Sequence, residues 1–312
     1  MKRTAATTVL LLLLCLNVSA EGFKPTGTYI YAHRDTCDLY LDHYAPAPGS
    51  VAQGGTRPAI LFSFGGGFKE GSRDSGSYMP WFKALTEAGF TVVSIDYRLG
   101  LKDFNGAGVN PKFIGALGNA IDIAVEDLFS ATAFIVENAG MLGIDPSRIV
   151  ASGSSAGAIT VLQAEWEICN SGSLAGILPD GFNYAGVISF SGAVFSRSGA
   201  VRFPVKPCPM MMLHGTADKI VPYKQIAFLN LHFSGTDVIT RWMKKDGWCY
   251  NCLRFDGHSH EIAVAFMPNL AEELRFLQTN VIEGKDRTVD VLIDDPDILI
   301  PSWAKGSYKK LY

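Results

Sequence analysis

A serine stands between paired glycines in the stretch GSSAG at residues 153–157, and this stretch decides the fold. An apolar run at residues 148–152 precedes it and another apolar run follows, so the sequence predicts a strand, a sharp turn and a helix. A serine hydroxyl is a poor nucleophile. It needs a tight turn where a base reaches its proton and the next helix's N-terminus faces a developing oxyanion. Gly153 and Gly157 permit such a turn around Ser155 because neither carries a Cβ.

Apolar runs and helical stretches alternate over residues 28–280, which predicts an α/β fold with a mostly parallel sheet and helices on both faces. The predicted strands are residues 28–31, 38–44, 59–64, 91–97, 148–152, 186–190, 210–213 and 252–255. The predicted helices are residues 79–88, 121–139, 156–167, 223–233 and 261–277. No helix separates the first two strands, so we expect them to form an antiparallel edge. Loops at residues 99–118 and 191–207 are predicted to line the substrate site.

The N-terminal segment has a basic start, a short apolar core and small residues at 18–20, which predicts a signal peptide over residues 1–20. The remainder, residues 21–312, is predicted to form a single catalytic domain that is secreted or periplasmic. A retained anchor and lipidation at Cys15 are the alternatives, although Leu14 is bulkier than lipid-attachment motifs usually allow. Residues 283–312 lack strong periodicity and receive no role.

Composition argues against several partners. The net charge is −3, 18% of residues are charged, and no long apolar stretch follows residue 20. These values favour neither nucleic-acid binding nor stable membrane insertion.

Cysteine usage is too low for a disulfide-stapled scaffold. Five cysteines follow the predicted signal peptide, and their pairing stays open: Cys37, Cys169, Cys208, Cys249 and Cys252. The last two have redox or half-zinc-site spacing, but a second Cys/His pair at suitable spacing is missing, so a structural or incidental role is favoured and no metal is predicted.

The predicted nucleophile needs a base, and two of the six histidines are well placed. His258 and His260 follow the strand at residues 252–255, in the loop before an apolar helix. His260 stands directly before that helix and is favoured, with His258 as the alternative. His214, at the end of another strand, is interpreted as a histidine that braces a turn.

The base needs a carboxylate, and Asp218 is the best candidate because it lies in the loop after the strand at residues 210–213. The order serine, acid, histidine is the one expected of this fold. Asp256 is the rival acid, but it lies close in sequence to His260.

Backbone N–H groups must also face the carbonyl oxygen on which charge develops. Three glycines at residues 65–67 follow a predicted strand, where they let the backbone approach a substrate. We assign the predicted oxyanion donors to Gly66, Gly67 and the N–H of Ala156.

The chain resembles the α/β-hydrolase superfamily, in its carboxylesterase and hormone-sensitive-lipase-like branch. The motifs that carry the resemblance, in order, are FGGGF at 64–68, DYRL at 96–99, GIDPSRI at 143–149, GSSAG at 153–157, HGTAD at 214–218 and GHSHE at 257–261. The resemblance implies an eight-stranded sheet, a triad of Ser155, Asp218 and His260, and hydrolysis through an acyl-enzyme without a metal or organic cofactor. Phe64 departs from the histidine usual before the glycine triplet, and Ser154 departs from the usual acid.

These features together predict a secreted serine carboxylester hydrolase. Analogy with the superfamily suggests small acyl esters, including acetyl or feruloyl esters of carbohydrates, as substrates. A lipase or a peptidase would use the same triad, although no propeller-sized extra domain accompanies the catalytic part. An alternative of a different functional class is a binding protein that has this fold but no catalytic activity.

Overall fold

The computed structural model of the protein describes residues 22–50, 57–106 and 108–295. The predicted signal peptide lies outside these residues. The strands are β1 Gly27–His33, β2 Asp38–Tyr44, β3 Arg57–Ser63, β4 Thr91–Ile95, β5 Ile144–Ser154, β6 Gly186–Phe190, β7 Ala193–Ser196, β8 Met210–Gly215, β9 Gln225–Phe228, β10 Leu231–Gly235, β11 Asn251–Phe255 and β12 Val289–Ile293. The helices are α1 Met79–Glu87, α2 Pro111–Glu137, α3 Ala139–Leu142, α4 Ala156–Cys169, α5 Thr236–Lys245 and α6 Phe266–Phe276, with 3-10 turns at Ser173–Ile177 and His260–Val264 and a π turn at Leu277–Ile282.

The main sheet is mostly parallel, which confirms the predicted α/β class. Its strand order is β1-β2-β4-β3-β5-β6-β8-β11-β12, and neighbours from β4 to β12 run parallel. The strands β1 and β2 form the expected antiparallel edge. Every residue of β4, β6 and β8 is buried because helices cover both faces of the sheet.

The number of strands differs from the prediction of eight. All eight predicted strands are present, and the described residues add β12 as a ninth at the far edge. This strand lies in the C-terminal segment, residues 283–312, for which no role is predicted. Its side chains are half-buried or exposed, so it lacks the continuous apolar run by which the central strands are recognised.

The helix predicted at residues 223–233 is wrong. This segment forms the hairpin β9–β10, which joins β7 in a separate three-stranded antiparallel sheet, and the helix α5 begins only at Thr236. Apolar residues recur at every second position in each arm of the hairpin, at Ile226 and Phe228 and again at Leu231 and Phe233. That spacing is the period of a strand.

Helix α2 begins ten residues before its predicted start at Ile121. The Asn110 side chain caps it by accepting a hydrogen bond of 3.0 Å from the N–H of Phe113, and Pro111 occupies the first turn. An Asn followed by Pro is a recognised start signal. Part of the predicted loop at residues 99–118 is therefore helical.

The strand order places the candidate site at one edge of the sheet. The loops after β3, β5, β8 and β11 all leave from the carboxyl ends of parallel neighbours. None of the helices in the described part of the chain is long and apolar enough to cross a membrane.

Candidate active site

Ser155 occupies the sharp turn between β5 and α4. Its φ of 50° and ψ of −112° lie in a region that L residues rarely adopt, and strain of this kind costs of order 1–3 kcal/mol. The side chain is nearly buried, at 4% exposure. A Cβ on Gly153 would strike the Gly157 backbone, and a Cβ on Gly157 would strike the carbonyl of Ser63 at the end of β3. Both glycines are required where strand and helix pass.

His260 connects Ser155 to Asp218. Its Nε2 lies 2.8 Å from Oγ of Ser155, and its Nδ1 lies 2.7 Å from Oδ2 of Asp218. A carboxylate can only accept, so Nδ1 carries the proton and Nε2 accepts from the serine hydroxyl. The structure therefore brings the three predicted residues into one buried hydrogen-bonded chain.

The Asp218 carboxylate accepts hydrogen bonds on both oxygens. Its Oδ1 accepts from the backbone N–H groups of Ile220 and Val221 at 2.9 and 3.1 Å. Its Oδ2 faces His260 and also Nε2 of His214, 3.3 Å away. Burial by itself raises the pKa of Asp218, but the hydrogen bonds from His214 and His260 outweigh it and hold the pKa well below its usual range. The carboxylate is therefore ionised at neutral pH.

The alternative base, His258, and the alternative acid, Asp256, contact residues outside the triad. His258 contacts Oε1 of Glu261 through Nδ1 at 3.2 Å and the carbonyl of Asp295 through Nε2 at 2.9 Å. Asp256 accepts a hydrogen bond from the Thr216 hydroxyl at 3.0 Å. The geometry therefore favours His260 over His258 and Asp218 over Asp256.

Two tyrosines hold the glycine loop after β3. The hydroxyl of Tyr97 donates to the carbonyl of Phe64 at 2.8 Å, and the two rings stack with centroids 4.4 Å apart. The hydroxyl of Tyr78 accepts from the N–H of Gly65 at 3.2 Å. Phe64, which stands where a histidine is usual, thus contributes a stacking surface for Tyr97.

The predicted oxyanion glycines have the backbone that only glycine adopts readily. Gly66 has a φ of 129° and Gly67 a φ of 64°, and a Cβ on Gly66 would strike the carbonyl of Glu70. Gly67 and Ala156 line the same cavity as Ser155, whereas Gly66 is buried and does not line it.

Ser154 ties the nucleophile turn to the histidine turn. Its hydroxyl donates to the carbonyl of Ala263 at 2.7 Å, within the 3-10 turn that begins at His260. This bond fixes the two segments that carry the nucleophile and the base against each other.

A cavity of about 450 Å³ opens onto Ser155. Helix α2 supplies one wall with Phe113, Ile114 and Leu117, and the three-stranded sheet supplies the other with Phe195, Leu231 and Phe233. Among the described residues that line it, polar side chains come only from Ser155, Lys69 and Lys219. Both predicted lining loops contribute, as expected, and the cavity is suited to an apolar group.

The cysteines lie outside this site. All five described cysteines are free thiols, and burial raises the pKa of Cys252 to about 12. No cluster of three or more metal-ligating side chains occurs within the described residues. The incidental reading of the Cys249 and Cys252 pair therefore stays favoured over redox chemistry.

The chain is similar to several known proteins over part of its length. The family model BD-FAE matches residues 41–165. Fumonisin B1 esterase of Sphingopyxis macrogoltabida is 32% identical over 142 residues, which cover 44% of this chain and 23% of that protein. Esterase B1 of Culex pipiens is 35% identical over 104 residues, which cover 33% and 18%. The chain spans about a fifth of the length of these curated relatives.

A solved structure extends the likeness to most of the chain. The propionate-bound thermophilic esterase Est2 of Thermogutta terrifontis aligns over 81% of this chain and 93% of its own, with a TM-score of 0.57 and 24% identity. The chain has the α/β-hydrolase fold, and the two curated relatives described above are named as esterases. In this fold the nucleophile turn and the acid loop occupy the carboxyl edge of the sheet, as found here.

Sequence reasoning missed several residues that shape this candidate site. It gave Tyr78 and Tyr97 no role, and it interpreted His214 as a turn brace without placing it on Asp218. The separation of four residues between His214 and Asp218 was the feature of the sequence that could have indicated this contact. The helix predicted at residues 223–233 leaves no place for the hairpin β9–β10, which lines the cavity.

Proposed function

We propose that the protein is a serine carboxylester hydrolase. The observation that carries the proposal is the continuous chain from Ser155 through His260 to Asp218, with contacts of 2.8 and 2.7 Å. Separate loops of the sheet supply these three residues, all three are buried, and Ser155 lines the cavity. Nucleophile, base and orienting acid are the elements that acyl transfer requires.

The proposed reaction has two halves. Ser155 Oγ attacks the ester carbonyl while His260 Nε2 takes its proton, and His260 then gives that proton to the leaving alcohol. Asp218 stabilises the imidazolium that forms between these steps. Water then attacks the acyl-enzyme by the same route and releases the acid.

The oxyanion of each tetrahedral intermediate is assigned to N–H groups of Gly66, Gly67 and Ala156. The location of Gly67 and Ala156 beside Ser155 in the cavity supports this assignment. Fixed backbone donors of this kind contribute several kcal/mol, about 2.7–4 for one donor in a well-studied protease.

The cavity bears on the acyl group. An acetyl group would leave most of the 450 Å³ empty, whereas an aromatic acyl group such as feruloyl would contact the apolar walls. Of the two expected acyl groups, the larger is therefore favoured. Carbohydrate esters, export through a signal peptide at residues 1–20 and a single catalytic domain over residues 21–312 stay part of the proposal and rest on the sequence.

A fluorophosphonate probe tests the nucleophile. We expect the purified protein to be labelled on the peptide that contains Ser155, and Ser155→Ala to lose both the label and hydrolysis of p-nitrophenyl butyrate. Ser147 is exposed near the opposite end of β5, so Ser147→Ala is the matched control and should keep both the label and the hydrolysis. Absence of labelling in the unaltered protein would contradict the assignment and favour the binding role.

A further inference from the structure

Apolar side chains surround the mouth of the Ser155 cavity and face solvent. We define the apolar lip as Val109, Ile220, Ile226, Phe228 and Leu229, whose exposed fractions lie between 45% and 82%. The first four also line the outer part of the cavity. Isolated exposed apolar residues are ordinary, but a cluster continuous with an apolar pocket marks a binding surface.

The tip of the lip is an exposed leucine that folding does not favour. Leu229 lies in the two-residue turn between Phe228 and Leu231, which pair across the hairpin β9–β10. Its φ is 52°, a region where glycine is usual, and its side chain is 82% exposed. Leu229 therefore gains neither burial nor favourable backbone geometry in the isolated protein.

Three lysines lie at or near the cavity that the lip borders. Lys69 and Lys219 are the charged residues among the described cavity-lining side chains, and the exposed Lys224 precedes β9. No described carboxylate forms an ion pair with any of these three lysines. An apolar surface bordered by unpaired lysines is complementary to a lipid surface with anionic headgroups.

We propose that the apolar lip adsorbs to an anionic lipid surface and admits apolar esters from that surface to Ser155. The second half of this statement rests on the proposed function. A second copy of the chain is a poorer occupant, because two such lips would bring lysines together. A neutral polysaccharide is also poorer, because the lip offers no polar side chain to hydroxyl groups.

Vesicle binding tests the adsorption directly. The full chain is sedimented with phosphatidylcholine vesicles that contain or lack phosphatidylglycerol, and we expect binding that is stronger with phosphatidylglycerol and weakened by salt. Leu229→Gly removes the apolar tip at a position where glycine relieves the backbone, and it should lower the affinity about tenfold. Lys224→Glu should lower binding to the anionic vesicles and leave binding to neutral vesicles unchanged.

The controls separate this proposal from the proposed function. Met141→Ser changes another exposed apolar residue, on α3 before the start of β5, and should not alter vesicle binding. Leu229 is not among the cavity-lining residues, so Leu229→Gly should hydrolyse soluble p-nitrophenyl butyrate normally.

Two results would overturn the adsorption. One is hydrolysis of the soluble ester without binding to either kind of vesicle. The other is a dimer in solution that Leu229→Gly dissociates, since this would assign the lip to a second copy. If the unaltered protein did not hydrolyse the soluble ester, the proposed function would be wrong. Vesicle binding would still test the adsorption, because it does not depend on hydrolysis.

Discussion

His214 Nε2 lies 3.3 Å from Oδ2 of Asp218, and both side chains are completely shielded from solvent. The same nitrogen lies 3.1 Å from the carbonyl of Val221, which can only accept, so Nε2 carries a proton. Nδ1 faces the hydroxyl of Thr236 at 2.9 Å. His214 thus fastens the loop that carries the acid to the start of α5.

His214→Ala tests this contact. The substitution removes one of the two histidine donors to Asp218 and should lower kcat about ten- to hundredfold, with a smaller change in KM. The contact with His214 lowers the pKa of Asp218, so its loss should raise that pKa. His214→Gln keeps a donor and should restore part of the rate. An unaltered kcat in His214→Ala would reduce His214 to a packing residue.

Tyr97→Phe tests how the glycine loop is held. The substitution keeps the ring on Phe64 and removes the hydroxyl that donates to the Phe64 carbonyl. If the loop positions oxyanion donors, kcat should fall several-fold while KM changes little, because the loss acts on the transition state. Tyr184, just before β6, is another buried tyrosine, and its hydroxyl contacts the hydroxyl of Thr132. Tyr184→Phe removes that hydroxyl and should leave kcat unchanged. Equal effects of the two variants would point to a general loss of stability.

The sequence predicted the sheet well because its central strands are buried on both faces and read as continuous apolar runs. The glycines at 153 and 157 likewise identified the nucleophile turn, since their close contacts exclude any side chain. The hairpin β9–β10 could not be recognised as readily. Its apolar residues alternate over only two positions in each arm, and they face a cavity and solvent instead of the core. The overall charge of −3 also concealed a local group of lysines at Lys69, Lys219 and Lys224.

Leu117→Trp tests the size of the acyl group. Leu117 projects from α2 into the cavity, where a larger ring would occupy space that a bulky acyl group needs. We expect kcat/KM to fall about tenfold or more for a hexanoate or a methyl ferulate ester and to change little for an acetate ester. Leu117→Met nearly conserves volume and is the control. A parallel loss on all three esters would show that this cavity does not select the acyl group.

A buried acid makes the stability of the fold depend on pH. Burial raises the pKa of Glu273 to about 8, and the 2.7 Å hydrogen bond from Trp81 Nε1 to its Oε2 opposes this only in part. Its other oxygen has no hydrogen-bond partner among the described residues. The carboxyl group is therefore protonated in the folded chain at neutral pH, whereas the unfolded chain loses this proton near the ordinary value of 4.5.

The stability linked to Glu273 should accordingly be complete below about pH 4.5 and be lost as the pH rises through about 8, with a total of roughly a few kcal/mol. Asp218 does not interfere over this interval, since its lowered pKa affects stability only in more acidic solution. Glu273→Gln is neutral at every pH, so its free energy of unfolding should lose this decline between pH 5 and 8, measured by urea denaturation. The exposed Glu137→Gln should keep the decline. A Glu273→Gln profile that runs parallel to that of the unaltered protein would mean that the buried carboxyl is already ionised at pH 5.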